Sequence, residues 1–274
     1  MQDAPAPVPD PAPPVSRFGD LVVRVISALV MAAIAGIVFY KGGEYVVALM
    51  AVAGGLMAWE FRRLILPDAR TGDIGLWIMV AGITGAVIAA NLFGFYAALL
   101  VIALASAILF QIRHKRPVWI GLGMLYIAVP VAGLVVLRNE QGLGAVLWLV
   151  GVVIASDVGG YFAGRIFGGP KLWPAISPKK TWSGTLGGWV LAIGVGFIYW
   201  LSGGDIFFFA ALAFSVLLAM AAQAGDLFES WLKRKAGIKD SSGLIPGHGG
   251  LLDRFDGLLA ATGLYIILYL FQAI

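Results

Sequence analysis

The chain reads as an all-α, polytopic membrane protein of about nine transmembrane helices, with its N-terminus cytoplasmic and its C-terminus external. Three observations predict this. Hydrophobic residues fill 60% of 274 positions and the mean hydropathy is +0.92, above what a soluble domain carries. Apolar runs of about 17–20 residues recur, each long enough to cross about 30 Å of hydrocarbon as a helix. The 19 Lys and Arg fall on alternate loops in a 17-to-2 split, which is the positive-inside pattern.

Residues 1–16 carry six prolines and no apolar core. They read as a disordered cytoplasmic tail rather than a signal peptide, and deleting residues 2–15 is expected to leave activity unchanged. The first span, 21–40, starts beside Arg17 and Arg24 and ends at Lys41. The second, 44–61, returns to Arg62, Arg63 and Arg70. The third and fourth, 74–90 and 92–111, lead to Arg113, Lys115 and Arg116. The fifth, 118–137, ends at Arg138, and the sixth, 144–164, at Arg165. Lys171, Lys179 and Lys180 precede the seventh, 184–202. The eighth, 205–225, leads to Lys233, Arg234, Lys235, Lys239 and Arg254, and the ninth is 257–273. Only Lys41 and Arg138 face the external side. The runs lack the alternation of a membrane barrel, and the chain has no cysteine. No internal repeat or soluble domain interrupts 17–274, a single integral-membrane domain whose motifs lie in 151–274.

Three polar clusters share the cytoplasmic side. The first is A-S-D-V-G-G-Y-F-A-G-R-I-F-G-G, residues 155–169. Asp157 lies within the sixth run, where an ionised carboxylate costs about 2.5–3.5 kcal/mol and needs a partner or a water-filled cavity. Tyr161 and Arg165 follow on the same helix face, and Gly160 and Gly164 permit close helix approach. An Asp–Arg packing pair and the wall of a substrate site are both consistent with this spacing. The second cluster is W-P-A-I-S-P-K-K-T-W-S-G-T-L-G-G, residues 173–188. Ser177 before Pro178 has the form of an N-cap with Pro at the first helical position. Free N–H groups there, with Lys179, Lys180 and Thr181, would make an anion site; the plainer reading of the two lysines is a topology anchor.

The third cluster, residues 226–256, packs five acids, five bases, one His and five glycines into 31 residues of a chain only 12% charged. Asp226 closes the eighth span and Glu229 follows at i+3. Lys233, Arg234 and Lys235 read as a short basic surface helix. Asp253 and Asp256 are again i, i+3, at a helix start whose dipole suits them. Two acidic helix ends bracketing a Gly-rich loop can converge on one hard cation, since Mg²⁺ takes one or two protein carboxylates and completes its shell with water and phosphate oxygens. The Gly-His-Gly-Gly turn ending in Gly249 and Gly250 lets backbone N–H groups approach an anion. His248 is a candidate base or phosphate donor. Together these features point to metal-assisted phosphoryl or nucleotidyl transfer at a membrane face.

The run S-W-L-K-R-K-A-G-I-K-D-S-S-G-L-I-P-G-H-G-G-L-L-D-R-F-D, residues 230–256, resembles the signature of the phosphatidate cytidylyltransferase family, the CDP-diacylglycerol synthases, without departure over 27 residues. The blocks G-D-L-F-E-S, D-V-G-G-Y-F-A-G-R-I-F-G and S-P-K-K-T resemble that family too. Ser183 stands where the family often has Glu. The N-terminal half matches only as a string of membrane helices. The resemblance implies that CTP and phosphatidate become CDP-diacylglycerol and pyrophosphate, at a Mg²⁺-dependent site facing the cytoplasm from the cell (inner) membrane. It carries metal binding onto Asp226 and Asp253 and leaves room for a second cation. The expected catalytic set is Asp226, Lys239, Asp240, His248, Asp253, Arg254 and Asp256. The expected substrate-binding set is Asp157, Tyr161, Arg165, Ser177, Lys179, Lys180, Thr181, Lys233, Arg234, Gly249 and Gly250. Membrane lipids are expected partners, nucleic acid is not, and a homodimer is left open.

Chemistry supports that expectation. Both substrates are polyanions, so joining them needs cations. One arrives from water and the other from the leaflet, which places the site at the interface. Phosphatidate, a phosphomonoester with a second pKa of about 6, is mostly dianionic at neutral pH and needs little base. Direct attack on the α-phosphorus of CTP, with no covalent enzyme intermediate, is therefore expected. A CTP-dependent polyprenol or phytol kinase is the alternative close in chemistry. A secondary transporter using Asp157 and Asp226 as a coupling site is the more distant one.

Overall fold

The computed structural model describes residues 17–67, 73–112 and 116–271. The 1–16 tail, Arg70, Arg113 and Lys115 lie outside them. Helices are α1 (Arg17–Lys41), α2 (Glu44–Ile65), α3 (Ile74–Phe93), α4 (Phe95–Gln111), α5 (Pro117–Val136), α6 (Gly142–Phe167), α7 (Trp182–Leu201), α8 (Phe208–Lys235) and α9 (Leu252–Leu270). A π turn, Leu137–Gln141, joins α5 to α6. The architecture is all-α and membrane-like, with one small addition. Strands β1 (Lys171–Trp173) and β2 (Ser177–Thr181) pair antiparallel between α6 and α7. Among the described residues, six helical stretches are long and apolar enough to cross a membrane, with α5 to α6 counted as one 51-residue run. α4 is apolar but has only 17 residues, and α9 starts with Asp253, Arg254 and Asp256.

Polar contacts gather the loops at two ends. Arg138 Nε donates to Phe39 O at 2.6 Å, Asn139 Nδ2 to Asn91 Oδ1 at 3.0 Å, and Tyr269 OH to Glu140. The π turn thus binds the ends of α1, α3 and α9, and brings Arg138 to the end that carries Lys41. The chain reverses there at Gly142, whose φ of 81° an L side chain rarely adopts. The opposite end holds the last turns of α2, α6 and α8 and the first turns of α7 and α9, and all three polar clusters lie on it.

Packing follows from side-chain size. In lipid, helices associate through van der Waals contact and small residues rather than through the hydrophobic effect. Met57, Met79, Ile83, Ile102, Met124 and Ile127 are fully buried among α2–α5, a core set to one side of the polar clusters. α6 and α7 approach closely: a Cβ on Gly159 would stand 2.6 Å from Gly187 O.

Two local expectations change. Lys233–Lys235 are not a separate surface helix but the last turn of α8. Phe228 packs on Tyr126 at 5.3 Å between ring centroids, and Trp231 on Trp119 at 5.8 Å, so the apolar stripe carries the helix past Asp226. It stops at Gly237, with φ 72° and Ile238 N bonded to Lys233 O at 3.0 Å, a left-handed helix ending. Ser177 is not an N-cap. It pairs with Trp173 in the hairpin, where Pro178 is tolerated because a two-stranded ribbon has only edges. The cap of α7 is Thr181, whose Oγ1 accepts from Gly184 N at 3.2 Å.

Candidate active site

A cavity of about 330 Å³ opens between α6, α7, β2 and α8. Asp157, Tyr161, Arg165, Lys179, Lys180 and Thr181 all line it, so the first two clusters form one wall. Arg165 Nη1 donates to Tyr161 OH at 3.0 Å. Asp157 makes no ion pair among the described residues, so the Asp–Arg packing pair is not what the fold builds. The floor is a network the sequence hides. Gln223 Oε1 accepts from Trp189 Nε1 at 3.0 Å, and Nε2 donates to Ser156 Oγ at 3.0 Å and Thr185 O at 3.3 Å. Indole can only donate, which settles the orientation of the amide. Ser183 donates to Gly168 O, tying the start of α7 to the end of α6.

Lys180 connects this cavity to the acid cluster by pairing with Asp226. Lys233 Nζ lies 2.7 Å from Asp253 Oδ1 and 3.5 Å from Glu229 Oε2. Glu229 is fully buried and, among the described residues, no N–H or Ser, Thr or Tyr hydroxyl donates to it. Asp256 stands beside Glu229 and Asp226, and burial first, then the neighbouring carboxylates, push the Glu229 carboxyl up to about 10 and that of Asp256 up to about 7. Four carboxylates therefore face two ammonium groups. Asp253 precedes the apolar stretch of α9, which starts at Gly257. Burial works against its anion, but the Lys233 hydrogen bond and the N–H groups of Gly250 and Ser241 outweigh burial and hold its carboxyl below the usual range.

Those residues fit a hard cation. The donors are all carboxylate oxygens, and a divalent ion would relieve the burial and mutual repulsion that raise the Glu229 and Asp256 carboxyls. Among the described residues, no three His, Asp or Glu form a ready-made metal cage. Mg²⁺ needs none, because it keeps several waters.

In the Gly-rich turn, one of the glycine N–H groups is already taken by the protein. Gly250 N donates to Asp253 Oδ2 at 2.7 Å, joined there by Ser241 N at 2.9 Å and Ser241 Oγ at 3.0 Å, and His248 N donates to Ile245 O at 2.9 Å. The anion that Gly250 holds is the protein's own Asp253. Gly249 accepts from Ile245 N through its carbonyl. His248 Nδ1 is 2.7 Å from Ser27 Oγ on α1, a partner that no local pattern indicates. Arg254 donates through Nε and Nη2 to His248 O, at 3.0 and 2.8 Å, and so clasps the turn. Arg234 donates to Ile238 O at the end of its own helix. Lys239 and Asp240 are exposed at the loop edge, and the Asp240 side chain lies against Gly249 on the side that Asp253 Oδ2 also borders.

Glu60 is the residue that sequence reasoning missed. It is fully buried on α2 and accepts from Ser242 Oγ, from Leu251 N at 2.9 Å and from Leu252 N at 2.6 Å. Gly250 sits against this junction, and a Cβ there would stand 2.0 Å from Ser241 Oγ and 2.6 Å from Glu60 Oε1. Gly250→Ala is expected to cost about 1–3 kcal/mol by overpacking and about 10²-fold in turnover through displacement of Asp253. Thermal unfolding and initial rates in detergent would measure both, and a wild-type rate would refute the placement.

A helical membrane-type protein with a cationic cavity opening onto a carboxylate cluster has the make-up of a metal-assisted phosphoryl- or nucleotidyl-transfer enzyme. Comparison with known proteins narrows that class. The profile of the cytidylyltransferase family matches residues 22–272, and the chain belongs to this family. It is 36% identical over 268 residues to the phosphatidate cytidylyltransferase of Brucella suis biovar 1, covering 94% of this chain and 95% of that one. It is 37% identical over 262 residues to the Helicobacter pylori protein of that name, covering 91% and 92%. With the Haemophilus influenzae protein of that name it shares 35% identity over 291 residues, covering 90% and 98%.

Proposed function

We propose that the protein is a membrane-embedded phosphatidate cytidylyltransferase, making CDP-diacylglycerol and pyrophosphate from CTP and phosphatidate for phospholipid biosynthesis. Family membership and relatives of that name across nearly the whole chain support the reaction. The observation that carries it is the Lys180–Asp226 contact, which joins a cavity lined by Arg165, Lys179 and Lys180 to the carboxylates of α8 and α9. Polyphosphate and phosphomonoester can meet there with their charge opposed on one side by bases.

In this reading Asp226 and Asp253 hold Mg²⁺, which when bound neutralises phosphate charge and orients the oxygens it touches. Lys179, Lys180 and Arg165 bind phosphate. Asp253 is kept ionised by Lys233 and fixed in direction by Ser241 and Gly250. His248, bonded to Ser27, shapes the loop rather than attacking phosphorus, so the dianionic phosphatidate oxygen attacks the α-phosphorus directly and pyrophosphate leaves. The purified protein should release pyrophosphate only when CTP, Mg²⁺ and phosphatidate are all present. Release without phosphatidate, or CDP formed in place of pyrophosphate, would reject the reading.

The site faces the cytoplasm from the cell (inner) membrane, and all nine helices span. The 17-to-2 charge split supports both. A reporter inserted at Lys115 should be cytoplasmic and one fused after Ile274 external; a cytoplasmic C-terminus would show an even number of spans.

A further inference from the structure

We infer that Glu60 on α2 is a positioning residue for Asp253, and that it sets how tightly the site binds its divalent cation. The inference rests on the reading of Asp253 as a metal ligand.

The argument starts at the first turn of α9. A helix start leaves its first N–H groups without partners inside the helix. Leu251 occupies the N-cap position and has no side-chain acceptor to offer. Asp253 follows two residues later and would ordinarily fold onto those N–H groups itself, as acids in a first turn do. Glu60 removes that demand. Its carboxylate, fully buried, takes Leu251 N at 2.9 Å on Oε1 and Leu252 N at 2.6 Å on Oε2. Asp253 is then free to reach back past the N-cap to the preceding loop. Its Oδ2 receives Ser241 N, Ser241 Oγ and Gly250 N, and its Oδ1 faces Lys233 at 2.7 Å.

The same carboxylate fixes the other side of the loop. Ser242 Oγ donates to Glu60 Oε1, while the adjacent Ser241 donates to Asp253. Two neighbouring serines therefore hand the loop to two carboxylates, one on α2 and one on α9. Gly250 leaves the room for this, since any Cβ there would overlap Ser241 Oγ and Glu60 Oε1. Glu60 binds α2, the loop and α9 into one unit whose output is the direction of Asp253. Among the described residues it makes no hydrogen bond or ion pair to the bases of the cavity, so its action is through Asp253.

Partners behind a metal ligand typically change metal affinity or activity by about 10–100-fold when removed. Glu60→Gln keeps the shape but replaces one acceptor oxygen with a donor, so one of the two N–H bonds fails. The test uses Mn²⁺ as the probe, with its affinity for the substrate-free protein read by electron paramagnetic resonance, alongside kcat and the KM for CTP. Glu60→Gln should bind Mn²⁺ about 10–100-fold more weakly and lose kcat by a similar factor, with the KM for CTP near wild type. Wild-type Mn²⁺ affinity and kcat in a folded Glu60→Gln protein would overturn the inference. Should Glu60→Gln fail to fold, Ser242→Ala decides. It removes one donor to Glu60 from a half-exposed loop position and should weaken Mn²⁺ binding about 2- to 10-fold, the scale of one hydrogen bond. Unchanged Mn²⁺ binding in Ser242→Ala would then leave Glu60 a support of the fold alone and overturn the inference. Asp253→Asn separates the two levels. If it binds Mn²⁺ as wild type does, the reading of the metal site is wrong. If it loses Mn²⁺ while Glu60→Gln keeps it, only the role of Glu60 is wrong.

Discussion

Asp226→Asn and Asp253→Asn each abolish turnover, with losses of at least about 10²-fold, the scale of removing one strong electrostatic contact from a catalytic site, while the protein still inserts and folds. Asn keeps the volume of the side chain and one accepting oxygen. At Asp253 that oxygen can still receive Gly250 N and Ser241, so the loop has most of its anchor. What is lost is the anion: the partner of Lys233 at one position and of Lys180 at the other. Initial rates at saturating CTP, on protein verified by size exclusion and thermal unfolding, give the answer. Near-normal activity in either variant removes that residue from the ligand set.

Lys233→Met shows the second large effect, and it falls on stability as well as on rate. Lys233 is only 12% exposed and stands between Asp253 and the fully buried Glu229. Removing one partner of a buried ion pair leaves an uncompensated charge and costs about 3–5 kcal/mol. Lys180→Met provides the contrast. Its pair with Asp226 is about a third exposed on both sides, so the stability cost is about 0–1 kcal/mol, whereas phosphate binding suffers. Thermal unfolding in one detergent separates them: Lys233→Met melts well below wild type, and Lys180→Met melts near it but turns over slowly. Equal melting temperatures for the two would show that Lys233 does not compensate the buried acids.

What the sequence made legible, and what it hid, follows from the range of the interactions. Run length and charge alternation placed the helices, since each depends on one stretch of chain. The break between α3 and α4 lies at Gly94, three residues beyond the one read from the runs. The carboxylates of 226–256 stood out because acids are costly in so apolar a chain, and Asp157, Arg165 and Lys180 were found together on one cavity. The misreadings share one cause. Ser177-Pro178 has the local form of a helix start, but pairing with Trp173 overrides it. In the Gly247–Gly250 turn, Asp253, three residues on from Gly250, takes one N–H that the glycine spacing offers to a bound anion. Glu60 was illegible because its partners lie about 180–190 residues away, and nothing beside it in α2 signals them. Gln223 is hidden in the same way, its amide fixed by Trp189 and Ser156 from two other helices.

The most direct test of cytidylyl transfer follows the fate of two labels. CTP labelled separately at the α- and γ-phosphorus is given to the purified protein with Mg²⁺ and phosphatidate. The account predicts the α-label in the lipid product and the γ-label in pyrophosphate, with both lost in Asp253→Asn. The γ-label in the lipid and the α-label in CDP would contradict it, and would make the protein a lipid kinase.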